Sequence, residues 1–278
     1  MMGLLLIPAG ILFICLLVMP LLFLLRVSLM APGPGAPIDG TFSLGAYALL
    51  IDPYNASLVW RTLRISGAVT LLCRILGYPL ALSLARSSGL WRTIQIVMVI
   101  SPLFVSIVVR AYGWLLLLGN RGVLNGALTG LGLQQTPTRF LGTEGAVIVG
   151  LAESLLPFMV LSLHAVIERQ NPDLEKAARG LGDSALGAFW RVTLPLSLPG
   201  ALAGSLLVFM VSMGSYATPA LLGGSQVRLV VTEIYAQMTA VFDWPQGAAL
   251  SIALLLLSLI TAFIGTRLAR SGRIAGAA

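Results

Sequence analysis

Six apolar runs, at about 3–25, 62–85, 94–118, 144–167, 200–222 and 247–267, constrain this chain more than any other feature. Each holds close to the roughly 20 residues that cross a bilayer as a helix. The expected fold class is therefore all-α: an integral membrane protein with six transmembrane helices, residues 1–278 forming a single transmembrane domain. Charge content agrees. Only 10% of the residues are charged, against about 25% in soluble domains, and no stretch is left over for a separate globular catalytic domain. The first run lacks a basic flank and an A-x-A-like cleavage site and is too long for a signal-peptide core, so it is expected to be a retained span. Cys15 and Cys73 both lie in apolar runs and imply no disulfide framework.

The net charge of +7 would suggest nucleic acid in a soluble protein. In a membrane protein it reflects the excess of Arg and Lys in cytoplasmic loops, so no nucleic-acid partner is expected. With both termini placed in the cytoplasm, the inner segments hold nine basic residues: Arg86, Arg92, Arg169, Lys176, Arg179, Arg191, Arg267, Arg270 and Arg273. The outer segments hold six: Arg26, Arg61, Arg64, Arg121, Arg139 and Arg228. That bias sets the expected orientation. The outer segments are long, and VVTEIYAQM within residues 223–246 reads as a short helix.

Between the fourth and fifth runs lies the segment 168–199, ERQNPDLEKAARGLGDSALGAFWRVTLPLSLP. A loop of this length with its own helical pattern is usually functional. Asn171 and Pro172 read as an N-cap and a first helical residue. Asp173 and Glu175 then sit in or beside the first turn, where the helix dipole favours acids. Gly180 and Gly182 end that helix. Asp183 or Ser184 caps a second, with Leu186, Phe189 and Trp190 on one face. Pro195 is expected to push Leu194 out of the helical region and stop it. The segment is expected to form a two-helix knob on the membrane surface.

This pattern resembles the EAA loop of the membrane-spanning subunits of bacterial ABC importers. Ala177, Ala178 and Gly182 fall into the family register, followed by Phe189, Val192, Leu194 and Pro195. Lys176 stands where the family has glutamate, and the nearest acid, Glu175, is turned about 100° around the helix by its one-residue shift. Further text is similar to the spermidine/putrescine-type permeases: RTLRIS (61–66), SPLFVSIVVRAYGWLLLLGNRGVLN (101–125), LLPFMVLSLHAVIE (155–168) and TPALLGG (218–224).

The resemblance implies a multi-pass permease of the bacterial inner membrane. Its expected partners are two ATP-binding cassette subunits, a second related permease in a heterodimer, a periplasmic substrate-binding protein and membrane lipid. It implies coupling to the ATPase through Glu175, Lys176, Ala177, Ala178, Gly182, Leu186, Phe189, Leu194 and Pro195. ATP and Mg belong to the partner subunits, and this chain is expected to bind no cofactor and to be no enzyme. Consistent with that, the sequence has no G-x-x-x-x-G-K-[ST] phosphate loop and no H-E-x-x-H. A lone histidine, His164, builds no His-based metal site.

Arg74, Arg110 and Glu153 lie well inside spans. Each costs at least about 2.5 kcal/mol in hydrocarbon and is expected to face protein or water. Arg110 and Glu153 lie at matched depth on consecutive antiparallel spans, so pairing is expected. Two readings of them stay open: an ion pair that fixes helix register, or a charged wall of the solute path that includes Tyr112 and Tyr216. Trp60 and Trp114 are further aromatic candidates. Two arginines and one glutamate lean toward an anionic or zwitterionic solute, whereas the resemblance implies a polyamine-like one. The alternative function is a secondary transporter driven by an ion gradient through Glu153. Inverted repeats and broken helices would accompany it; neither is clear in the sequence.

Overall fold

The computed structural model describes residues 12–35 and 41–275, with side chains as far as Arg267. The start of the first run, the Arg270 and Arg273 side chains and both termini lie outside the described residues. Those described fold as helices and turns, plus one isolated antiparallel bridge between Met30 and Phe42. In chain order the helices are α1 (Ile14–Ser28), α2 (Gly45–Leu50), α3 (Pro53–Arg86), α4 (Gly89–Phe104), α5 (Ile107–Leu118), α6 (Val123–Gly130), α7 (Glu144–Ile167), α8 (Pro172–Gly180), α9 (Ala185–Gly214), α10 (Val230–Ala236) and α11 (Trp244–Ala275). Five stretches among the described residues are long and apolar enough to cross a membrane: α3, α5 with α6, α7, α9, and α11 as far as Arg267. The apolar helices α1 and α4 are shorter.

The chain divides into two compact units. One comprises the residues up to Arg61 together with Leu229–Leu257, and the other comprises Thr62–Arg228 with the residues from Ser258 onward. In the first unit, Leu58, Val230 and Leu250 form a buried cluster flanked by Leu50, Val59, Ile234 and Leu254. The short outer helix expected from VVTEIYAQM is α10. Its Glu233 is buried and accepts from the Tyr54 hydroxyl at 2.9 Å and from Gln237 Nε2 at 2.8 Å.

In the second unit α7 is the central element, with eleven buried residues along its length. It packs chiefly against α9, and two glycines make the approach close. A Cβ at Gly200 would meet the Ser162 carbonyl oxygen at 2.8 Å, and one at Gly204 would meet Ser162 Cβ at 2.9 Å. Their four-residue spacing puts both on one face of α9. This is the small-xxx-small device by which membrane helices gain van der Waals contact where hydrocarbon supplies no hydrophobic drive.

Three expectations need correction. The run at 94–118 is not one helix: α4 ends at Phe104, and Val105 and Ser106 are extended before α5 starts. Pro102 in the last turn of α4 supplies no N–H, which weakens the ladder there. The run at 200–222 is not one helix either. The helix ends at Gly214, Ser215 is extended, and a separate turn at Pro219–Gly223 follows. Finally, Pro195 does not stop the second knob helix. Leu194 keeps helical dihedrals (φ −64°, ψ −50°), and the chain continues unbroken from Ala185 to Gly214. A wide turn of π type at Phe189–Thr193 precedes Pro195. Proline then falls at the first positions of the following regular ladder, where its missing N–H costs least. The second knob helix is thus the root of a span.

The close α7–α9 approach yields a prediction. Gly204→Leu has no space and should destabilise the folded chain by about 1–3 kcal/mol, the usual cost of overpacking. Gly126→Leu, where an added Cβ meets nothing within 4 Å, should be far milder. Thermal aggregation of the two variants in detergent distinguishes them, and equal midpoints would refute the packing account.

Candidate functional site

The knob is built from local capping chemistry. Asn171 Oδ1 accepts from the Asp173 N–H at 3.0 Å, and Pro172 opens α8. The helix closes at Gly180. Gly182 follows with φ +94°, a region that only glycine enters cheaply. Ser184 Oγ accepts from the Gly187 N–H at 3.0 Å and starts α9. The Asn171 cap is as expected, and of the two candidates for the second cap, Asp183 and Ser184, it is Ser184 that caps the helix.

Two faces of the knob differ. Outward, Leu181 is 90% exposed; Leu186, 67% exposed, lines a groove with Phe189 and Tyr78. Lys176 is 74% exposed and donates to Asp173 at 2.9 Å, which raises the ammonium pKa. Ala177 is exposed and Ala178 half-buried. Inward, Glu175 is only 19% exposed and pairs with Arg86 at 2.5 Å and with Arg179 at 3.2 Å. Phe189 is half-buried, edge-on to Tyr78 of α3 with ring centroids 5.9 Å apart. Within the chain its ring partners are Tyr78 and Trp190. Leu194 is half-buried and Pro195 exposed.

Arg86 and Arg92, counted from sequence only for orientation, turn out to have structural partners. Arg92 donates to Glu168, and His164 Nε2 lies 3.3 Å from the same carboxylate. The Arg92 hydrogen bond holds the Glu168 carboxyl below its ordinary range. That contribution is present at neutral pH and fades as acidification protonates Glu168. No local motif announces these partners, because each joins residues more than 70 positions apart.

Deep in the second unit, Arg110 and Glu153 do pair. Arg110 Nη1 lies 3.5 Å from Glu153 Oε1. The distance exceeds that of a normal hydrogen bond, and Arg110 Nε and Nη1 are buried without one. The contact is therefore mainly coulombic. The partners differ in access: the Arg110 side chain is 13% exposed and the Glu153 side chain 32%. Glu153 is the only charged residue lining a groove of about 360 Å³. Its other walls include Leu76, Met98, Pro102, Trp114 and Pro157. One proline each from α4 and α7 and one aromatic candidate thus line the same groove as Glu153. Tyr112 is exposed and makes no hydrogen bond to the pair. Tyr216 sits in the break after α9. Arg74 lines a separate apolar groove with Tyr78, Leu186 and Trp190. Among the described residues no group of His, Cys, Asp and Glu is arranged to hold a metal ion.

Apolar helices long enough to span a bilayer, a capped polar knob at one end and a charged groove within define a membrane permease. The chain belongs to the inner-membrane components of binding-protein-dependent transport systems, whose family pattern matches residues 75–273. The spermidine/putrescine transport system permease protein PotB of Haemophilus influenzae is 39% identical over 218 residues, covering 78% of this chain and 76% of that protein. PotB of Escherichia coli is 37% identical over 236 residues, covering 85% and 86%. A solved bacterial alginate ABC transporter, in complex with its alginate pentasaccharide-bound periplasmic protein, superposes with TM-score 0.79 at 20% identity. That match covers 97% of this chain and 94% of the other. The chain is thus the permease subunit of an ABC importer. ATP hydrolysis belongs to separate subunits.

If Arg110 and Glu153 support each other, removing one strands the other. Arg110→Met and Glu153→Gln should each reduce folded protein, at a cost of about 3–5 kcal/mol for a charge left buried. The double variant should recover most of the loss. A thermal-stability cycle on the four proteins checks this, and additive losses would exclude the interaction.

Proposed function

We propose that this chain forms part of the translocation path for a small polyamine-like cation. The observation that carries the reading is the asymmetry of the buried pair. Arg110 is the more deeply covered partner, while Glu153 is the charged residue, and Trp114 the aromatic one, among those lining the apolar groove. A solute in that groove meets a carboxylate and an aromatic face, both of which favour an ammonium group. The identity to two spermidine/putrescine permeases supports the same solute class. It outweighs the simple count of intramembrane arginines.

The assembly follows the family. The chain works with a second permease, two ATPase subunits holding ATP and Mg, and a periplasmic binding protein that delivers the solute. All of it lies as one transmembrane domain in the bacterial inner membrane, with the knob and both termini in the cytoplasm, as the excess of basic residues there supports. The knob seats on an ATPase through its outward face, with Leu181 and Leu186 as apolar anchors and Gly182 keeping the turn between them. ATPase closure then moves the spans as rigid bodies and opens the path to each side in turn.

The test is reconstitution of the chain with its permease and ATPase partners in proteoliposomes, with the binding protein outside. ATP-dependent uptake of labelled spermidine or putrescine is expected, and uptake confined to anionic solutes would overturn the reading. Glu153→Gln should lower cation uptake more than it lowers the amount of folded complex. Uptake that falls only in step with folded protein would restrict Glu153 to a structural role. For the knob, Leu181→Ser with Leu186→Ser should reduce ATPase copurification by an amount like 2 kcal/mol of binding. Phe189→Ala should instead lower the stability of the isolated chain, because its partner is Tyr78. The opposite pattern in pull-down and melting assays would reject this division.

A further inference from the structure

We propose that Glu175 is a positioning residue for coupling: through Arg86 it fastens α8 to the α3–α4 turn, so that movement of the knob reaches those helices directly. The inference rests on the importer reading above and adds to it a route and the residues that carry it.

The geometry begins with the displaced acid. Lys176, at the family's glutamate position, points to solvent and pairs only with Asp173 one turn away. Glu175, one residue earlier, faces the other way and is largely covered. Both of its oxygens are engaged, Oε2 by Arg86 at 2.5 Å and Oε1 by Arg179 at 3.2 Å. Arg179 lies on α8 itself, so that contact only orients the carboxylate. Arg86 is the last residue of α3, so that contact crosses from the knob to a span.

The α3–α4 turn is suited to pass on a displacement. Gln95 Nε2 of α4 donates to Ser83 Oγ of α3 at 2.7 Å, bracing the two helices across the turn. At its far side Arg92 holds Glu168, the residue that caps α7. The turn is therefore tied to α8 on one side and to the end of α7 on the other. A small polar cleft of about 140 Å³, lined in part by Arg86, Glu168, Asn171, Glu175 and Thr193, lies among these elements. The remaining knob pairs do not serve this purpose. Lys176–Asp173 and Arg191–Asp183 both stay within 171–193 and join nothing to α3 or α4. The exposed Lys176–Asp173 pair contributes little, whereas the Glu175 carboxylate is held by two guanidiniums and geometrically restrained.

The link can be tested in the reconstituted complex by measuring solute moved per ATP hydrolysed. Glu175→Gln keeps the side-chain size and removes the charge. It should lower that ratio roughly fivefold or more, the range of typical coupling energies. Arg86→Gln should do the same, and the charge-swapped protein, Glu175→Arg with Arg86→Glu, should recover much of the loss. An unchanged ratio in Glu175→Gln overturns the proposal, as does a charge swap that fares no better than the single variants. If Glu175→Gln fails to assemble, the charge swap decides: recovery of both assembly and ratio supports the link, and failure of both rejects it. These outcomes are separable from failure of the importer reading, in which the unaltered complex itself would show no ATP-driven uptake.

Discussion

Hydrocarbon offers no partner to a peptide N–H or C=O, and the architecture follows from that constraint. Among the described residues the long apolar runs are helical, and the breaks at 105–106 and 215 follow Pro102 and Gly214. Helices cannot associate in lipid through hydrophobicity alone, so close approach does the work. Gly200 and Gly204 bring α9 against the Ser162 face of α7. With α7 held this way, the α3–α4 turn, the knob and the Arg110–Glu153 pair all have a fixed element against which to be placed.

The same scarcity of polar partners gives the pair its meaning. A charge in the span is tolerated because another charge answers it, and the difference in exposure decides what a passing molecule would meet. Arg110 is the more covered partner of the pair, and Glu153 is among the residues lining the groove. The observed pair fits the registry reading, and the proposed solute contact is compatible with it, so the two readings open at the level of sequence are not exclusive.

The knob is continuous with a span, and this matters for how force travels. Because Pro195 is absorbed after a π-type turn, α9 runs from the knob into the membrane without a joint. α8 has no such continuity and reaches the spans through side chains, Glu175 foremost. Phe189 on Tyr78 adds an apolar contact between the root of α9 and α3. The knob thus has a covalent and a non-covalent route to the helices above it.

Much of this was readable from residue order because it is local. Span positions follow from runs of apolar residues, the cap at Asn171 and a second at Asp183 or Ser184 from short-range hydrogen bonding, and the turn at Gly182 from backbone sterics. The matched depth of Arg110 and Glu153 was also readable, because helical rise converts residue counts into height. Three things were not. Whether Pro195 breaks a helix depends on hydrogen-bond register one turn earlier. Which way Glu175 and Phe189 point depends on where α3 lies, and their partners Arg86 and Tyr78 are remote in the chain. Which member of the Arg110–Glu153 pair faces open space depends on how four helices surround it. Local order specifies the elements and their heights; lateral packing assigns each side chain to a neighbour, to solvent or to a groove.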